Sequence, residues 1–192
     1  EGYGVDWTMM VPTMIAMVLN HPDFRPERLA SMRDLVYGAS PMPAALLERL
    51  MTSLPDMSLW QGYGMTECSS ALTFLTAADH RRGGEVLRSA GRPAMGVEVT
   101  VRDEHGAPVP VGDDGEVWAR GGNFMREYWH RPEQTEAVFV DGWYRTGDAG
   151  HLDERMQFEP ESRRVDLGAI ARDHAGLLER AHPCPGRRLR QA

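Results

Sequence analysis

Two short apolar runs that end in glycine constrain this chain more than any other feature. Asp34-Leu35-Val36-Tyr37 stops at Gly38, and the run from Met57 to Trp60 leads into Gly62-Tyr63-Gly64-Met65-Thr66-Glu67. Between them Leu46, Leu47, Leu50 and Leu54 recur at the spacing of one helix face. Strand, glycine loop, helix, strand, glycine loop is an α/β layout, in which ligands sit on the loops past the carboxyl ends of strands. Ahead of it, Met10, Met14, Met17 and Val18 also fall at helical spacing, with Pro12 suited to a first helical turn. That methionine stripe is expected to be a core face.

The hydrophobic period then changes. Val97, Val99 and Val101 alternate with Glu98, Thr100 and Arg102, the signature of a half-buried strand, and Glu116 to Ala119 reads as the strand returning. His105-Gly106 and Asp113-Asp114-Gly115 supply turns, and a short helix is expected from Pro132 to Phe139. The chain therefore divides into an α/β part over residues 1–80, a β-rich part over 81–158 and an unmatched tail over 159–192. At 192 residues these are expected to form one domain or two tightly joined lobes.

Charge and composition narrow the chemistry. The chain has 21 basic and 28 acidic residues, a formal net charge of −7, which argues against a nucleic-acid or polyanion binder. The charge is uneven, since residues 163–192 hold seven arginines against three acids. Every basic residue is arginine. Without lysine, no Schiff base, phosphate-loop lysine or catalytic ammonium can be completed by this polypeptide alone. Cys68 and Cys184 have neither disulfide-framework nor metal-ligand spacing, and the seven histidines are scattered, so a reducing, cytoplasmic setting is expected. The most apolar stretch, Trp7 to Leu19, is interrupted by Pro12 and falls short of the roughly 20 residues of a spanning helix. The opening Glu1-Gly2-Tyr3-Gly4 does not read as an export signal, and without an initiator methionine position 1 is expected to lie inside something longer.

Three segments carry candidate chemistry. In Gly62-Tyr63-Gly64-Met65-Thr66-Glu67, glycines let the backbone approach a ligand and Tyr63 offers a stacking face. The Thr66 hydroxyl suits a phosphate oxygen, and Glu67 is a hard oxygen ligand of the kind Mg²⁺ takes. The plainer alternative is a strand-to-helix turn with Thr66 as N-cap. In Arg145-Thr146-Gly147-Asp148, a carboxylate fixed by a glycine turn can accept hydrogen bonds from a ribose diol, against the alternative of an ordinary surface turn. Gly38-Ala39-Ser40-Pro41 offers mainly backbone polarity beside a ligand.

Taken in order, Gly38-Ala39-Ser40-Pro41, Gly62 to Glu67, Gly115-Glu116-Val117 and Trp143 to Asp148 resemble the adenylate-forming acyl-CoA synthetases. The likeness covers Trp7 to Phe158 and is to the later part of that family's large N-terminal domain, an αβ-layered nucleotide-binding subdomain followed by a distorted β-barrel. It implies an ATP-dependent ligase that activates a carboxylic acid, fatty or aryl, as acyl-adenylate and passes it to coenzyme A. Carried over by resemblance, Tyr63 stacks on adenine, Gly62 belongs to the nucleotide site, and the Gly38, Ala39 and Ser40 backbone borders adenine and the acyl pocket. Thr66 touches phosphate, Glu67 holds Mg²⁺, Asp148 binds the ribose hydroxyls, and Gly64 and Met65 face the acyl group, as do parts of the Met14–Val18 face. Thr66 and Glu67 are thus the expected catalytic pair. The family's lysine-bearing phosphate loop and its small C-terminal domain have no counterpart in these residues, and after Phe158 the likeness ends. The expectation is a fragment whose reading frame shifts near residues 156–162, inactive by itself. The alternatives are a natural C-terminus on a non-catalytic adenylate-binding remnant, and an interaction protein acting through the basic tail.

Overall fold

The structure, a computed structural model, describes residues 3–160. The arginine-rich tail lies outside the described residues from position 161 onward, as does the reading-frame expectation attached to it.

Two sheets carry the chain. The first is ordered β1 (Trp7–Met10), β2 (Asp34–Gly38), β3 (Ser58–Tyr63), β4 (Thr73–Leu75), β5 (Arg92–Pro93). The first three strands are parallel and the last two run antiparallel to their neighbours. Parallel neighbours require crossovers, and helices α1 (Pro12–Asn20) and α2 (Ala44–Ser53) supply them. Pro12 opens α1, where its missing N–H costs nothing. Ile15 and Leu19 of α1 and Leu47 and Leu50 of α2 close over Leu35, Tyr37 and Leu59 of the sheet.

The methionine stripe is the exception. Met14 is 48% and Met17 72% exposed, while Pro12, Ile15 and Leu19 face inward. Methionine at helical spacing fixes a face but not its direction, and here the branched chains of Ile15 and Leu19 take the core. Met10 lies in β1, not in the helix. Among the described residues β1 has one neighbour, so its outer edge is open and Trp7 and Met9 beside it are more than half exposed.

A short helix α3 (Ala77–Arg82) follows β4, its N-terminus closed by reciprocal bonds between Thr76 and Asp79. It holds His80, 2% exposed, with Nδ1 2.8 Å from the Thr76 carbonyl and Nε2 2.8 Å from the Tyr37 hydroxyl. Nδ1 must therefore carry the proton that the carbonyl accepts, leaving Nε2 to accept from Tyr37. Burial lowers the His80 pKa from 6.5. The unfolded chain thus binds the proton more readily than the folded one. The stability this group confers is complete above about pH 6.5 and is lost as the pH falls through and below that value, at up to about 1.4 kcal/mol per pH unit. Urea midpoints measured from pH 7.5 to 5.5 are expected to fall more steeply for the natural chain than for His80→Gln. Parallel profiles would refute this.

The second sheet is antiparallel throughout, ordered β10 (Phe158–Pro160), β9 (Trp143–Leu152), β7 (Gly115–Gly121), β6 (Val97–Arg102), with β8 (Phe139–Val140) also on β9 and helix α4 (Pro132–Val138) before it. It curls into a half-barrel. Val101, Val117, Ala119, Leu152 and Phe158 line its inner face and pack on Cys68, Leu72 and Ala90. On the outer face, arginine guanidinium groups stand over tryptophan rings. The Arg102 guanidinium lies 4.7 Å from the Trp118 ring and 4.8 Å from Trp143, Arg120 lies 4.5 Å from Trp143, and Arg145 5.4 Å from Trp118. Glu98 and Glu116 pair with Arg120 and Arg145 at 2.7 and 2.8 Å.

Arg145-Thr146-Gly147-Asp148 is not a turn, although its glycine points that way in the sequence. It lies inside β9, where the register against β7 shifts between Glu116 and Trp118 and Gly147 takes φ +75°. The glycine serves a bulge, which re-aims the next side chain. Among the described residues no helix is long and apolar enough to cross a membrane.

Candidate nucleotide site

β2 and β3 end side by side, with Gly38 opposite Gly62. A Cβ on Gly38 would stand 2.2 Å from the Gly62 carbonyl oxygen, so the two strand ends meet backbone to backbone. Past Gly38 the chain turns away through Ala39, at φ +64°, leaving Ala39 and Ser40 exposed beside the strand ends. The two glycine segments separated in sequence are thus one surface.

Tyr63 is the last residue of β3. The Phe158 ring covers it at a centroid distance of 5.2 Å and a tilt of 40°. Its hydroxyl donates to Oδ2 of Asp148, 85 residues on. The bulge in β9 makes that meeting possible: the Thr146 hydroxyl donates to the Val117 carbonyl at 2.8 Å and accepts from the Asp148 N–H at 3.1 Å. Burial, then the adjacent Asp148 carboxylate, raises the Tyr63 pKa well above its usual value, so the phenol remains a donor at neutral pH.

After Tyr63, Gly64 and Met65 lead into a single tight turn over Thr66–Cys68. Met65, not Thr66, occupies the N-cap position, and the exposed Thr66 hydroxyl has no partner among the described residues. The turn is too short to be a helix, which removes the capping alternative. Met65 is half-buried and packs against the core that holds Cys68 and Phe158.

Glu67 is held by a segment with no periodic signal in the sequence. Residues 121–131 run across the 65–71 turn. The Met125 N–H donates to the Glu67 carbonyl at 2.7 Å, and the Asn123 amide donates to the carbonyls of Cys68 and Ala71, both at 2.7 Å. Ser69 returns a bond to the Asn123 carbonyl at 2.9 Å. The Tyr128 hydroxyl donates to Oε1 of Glu67 at 2.8 Å, with the Tyr144 hydroxyl 3.5 Å away. Burial is the main cause raising the pKa of both phenols, with the Glu67 charge adding to each. Glu67 Oε2 has no partner among the described residues.

Among those residues no three His, Cys, Asp or Glu side chains gather as a metal cage. A single carboxylate with one free oxygen nevertheless fits Mg²⁺, which takes one or two protein carboxylates and fills its octahedron with water and phosphate oxygens. Three segments thus come together: the Gly38–Ser40 backbone beside the strand end that leads through Tyr63 to Thr66 and Glu67, and Asp148 against Tyr63. The parallel strands β2 and β3 present two of those segments at their carboxyl ends, where open α/β sheets bind ligands.

The sequence and the fold have counterparts in known proteins. The AMP-binding enzyme family matches residues 1–129. A fatty acid–[acyl-carrier-protein] ligase, ScoC, of Streptomyces coeruleorubidus is 39% identical over 151 residues, which are 79% of this chain and 29% of that protein. A feruloyl-CoA synthase of an Amycolatopsis species is 37% identical over 157 residues, 82% of this chain and 31% of that one. In structure, the chain resembles the inhibitor-bound N-terminal domain of FACL13 from Mycobacterium tuberculosis, with a TM-score of 0.74 and 31% identity over 84% of this chain and 39% of that one. The chain spans about a third of the length of the curated relatives it matches. With the motifs, the two-sheet fold and these matches in agreement, the chain belongs to the AMP-binding enzyme family of adenylate-forming proteins and corresponds to part of its N-terminal domain.

Proposed function

We propose that this chain carries the AMP-binding half-site of an ATP-dependent acid–thiol ligase, which activates a carboxylic acid as acyl-adenylate and transfers it to coenzyme A. The observation that carries the reading is the contact of Tyr63 with Asp148. It brings a stacking ring and a diol-binding carboxylate together from two different sheets. In this reading an adenine base stacks on Tyr63, against the Gly38–Ser40 backbone and Gly62. The ribose hydroxyls donate to Asp148, and the α-phosphate reaches the Thr66 hydroxyl. Glu67 would hold Mg²⁺, which supplies charge neutralisation to the phosphates when bound. Gly64 and Met65 border the acyl group. These residues bind, orient and spread charge, which is most of what phosphoryl-type chemistry asks of a protein. The relatives' names, a fatty acid–acyl-carrier-protein ligase and a feruloyl-CoA synthase, support a fatty or aryl acid as the substrate class. The residues used suit a nucleotide substrate and not a nucleic acid, and a cytoplasmic setting agrees with the buried, free Cys68.

The 192 residues contain no lysine, so no ammonium of this chain can neutralise the departing pyrophosphate. Loss of one transition-state donor costs about 2.7–4 kcal/mol in measured cases, or 10²–10³ in rate. Calorimetry with AMP and ATP–pyrophosphate exchange separate binding from turnover. The chain is expected to bind AMP and to show no exchange. Exchange that depends on Glu67 would overturn the inactivity, and absence of AMP binding would overturn the site.

A further inference from the structure

We propose that Tyr128 is a positioning residue for the metal carboxylate: its hydroxyl fixes one oxygen of Glu67 and leaves the other presented to a Mg²⁺–nucleotide. The inference rests on the adenylate-forming reading above and adds to it a residue from a segment that reading does not use.

The geometry carries it. Glu67 sits in a single turn of three residues, which by itself gives a side chain three rotatable bonds and little restraint. The segment around residues 121–131 supplies that restraint at two levels. At the backbone, Met125 N–H holds the Glu67 carbonyl, and the Asn123 amide holds those of Cys68 and Ala71. At the side chain, Tyr128 holds Oε1. Tyr128 is itself fixed: its N–H donates to the Thr135 hydroxyl at 2.9 Å, and that hydroxyl donates to the Arg131 carbonyl at 2.9 Å, at the start of α4. The phenol therefore approaches from an anchored backbone.

The arrangement divides the labour of the carboxylate. One oxygen accepts a short, charge-assisted bond from the phenol, while Oε2 has no partner among the described residues. A ligand carboxylate oriented by an outer hydrogen bond loses less freedom on meeting its metal, and removal of such outer partners costs about 10–100-fold in metal affinity. Tyr144 extends the chain of hydroxyls, 3.5 Å from Tyr128. It lies on β9, four residues before Asp148, and is wedged between Phe124 at 5.5 Å and Phe139 at 5.3 Å. The hydroxyl chain thus reaches from the metal carboxylate to the strand that bears the ribose carboxylate.

Tyr128→Phe removes the hydroxyl and keeps the ring, and Glu67→Gln is the reference. With the full 192-residue chain, calorimetric affinities are measured for AMP, and for ATP in saturating Mg²⁺ and in EDTA. The natural chain is expected to bind ATP more tightly with Mg²⁺. Tyr128→Phe is expected to cut that gain about tenfold while holding AMP affinity within about twofold, and Glu67→Gln to abolish the gain. An unreduced Mg²⁺ gain in Tyr128→Phe overturns the proposal, as does a parallel loss of AMP binding, which would make the residue merely structural. If the natural chain binds AMP but gains nothing from Mg²⁺, the metal role of Glu67 falls and the proposal with it. If AMP does not bind at all, the nucleotide reading itself has failed.

Discussion

Gly38→Ala is expected to destabilise the chain by about 3 kcal/mol and to abolish AMP binding, whereas Gly62→Ala, its neighbour across the sheet, is expected to cost less than about 1.5 kcal/mol. The contrast follows from what each new methyl group meets. At Gly38 it would stand 2.2 Å from the Gly62 carbonyl oxygen and 3.2 Å from its carbon, both backbone atoms. Relief requires β2 and β3 to separate at their ends, where Gly38 pairs with Gly62. At Gly62 the nearest atom is Cε1 of the Phe74 ring at 3.4 Å, an ordinary contact. Urea denaturation of both variants checks this, and equal midpoints would mean that the two strand ends are not locked together.

Asp148→Ala is expected to weaken AMP binding by about 100-fold or more. Hydrogen bonds to a charged group contribute about 1.5–3 kcal/mol each, and the ribose diol offers two. The effect should be specific to the sugar, because Tyr63 and the Gly38–Ser40 backbone remain to meet the base. A 2′,3′-dideoxy analogue of AMP is therefore expected to bind the natural chain and Asp148→Ala within a few-fold of each other. Equal affinity of both chains for AMP itself would remove Asp148 from the site.

Much of this site is legible in the sequence because glycine is. Gly38 and the Gly62–Gly64 pair mark the two strand ends whose loops carry ligands, and the alternation at Val97–Val101 marks a sheet with one buried face. What composition and spacing leave open is direction. Met14 and Met17 share a helix face with the right period, yet the inward face belongs to Ile15 and Leu19, and no amphipathic count separates two apolar faces of one short helix. Gly147 is a second case. A lone glycine before an aspartate reads as a turn, but a strand ten residues long absorbs it as a bulge, and only the partner strand β7 decides between the two. Tyr128 and Asn123 are illegible for another reason. Their function is to hold carbonyls and a carboxylate more than 50 residues away, and side-chain bonds to irregular backbone have no period. The one available signal is Asn123 after the Gly121-Gly122 pair, a polar residue in turn-forming company.

The guanidinium-over-indole covering of the second sheet has a colloidal consequence. A bare three-strand face with Trp118 and Trp143 at its centre would be an adhesive patch for another molecule's apolar surface. The guanidinium groups of Arg102, Arg120 and Arg145 stand over those rings, Trp118 is only 5% exposed, and an approaching surface meets arginines and their glutamate partners instead of bare indole. Among the described residues nothing similar covers β1, whose outer strand edge stands beside exposed Trp7 and Met9. Among the described residues, then, the edge of β1 is where strand addition by a second molecule is expected, and the arginine-covered sheet is the poorer surface on which to stack.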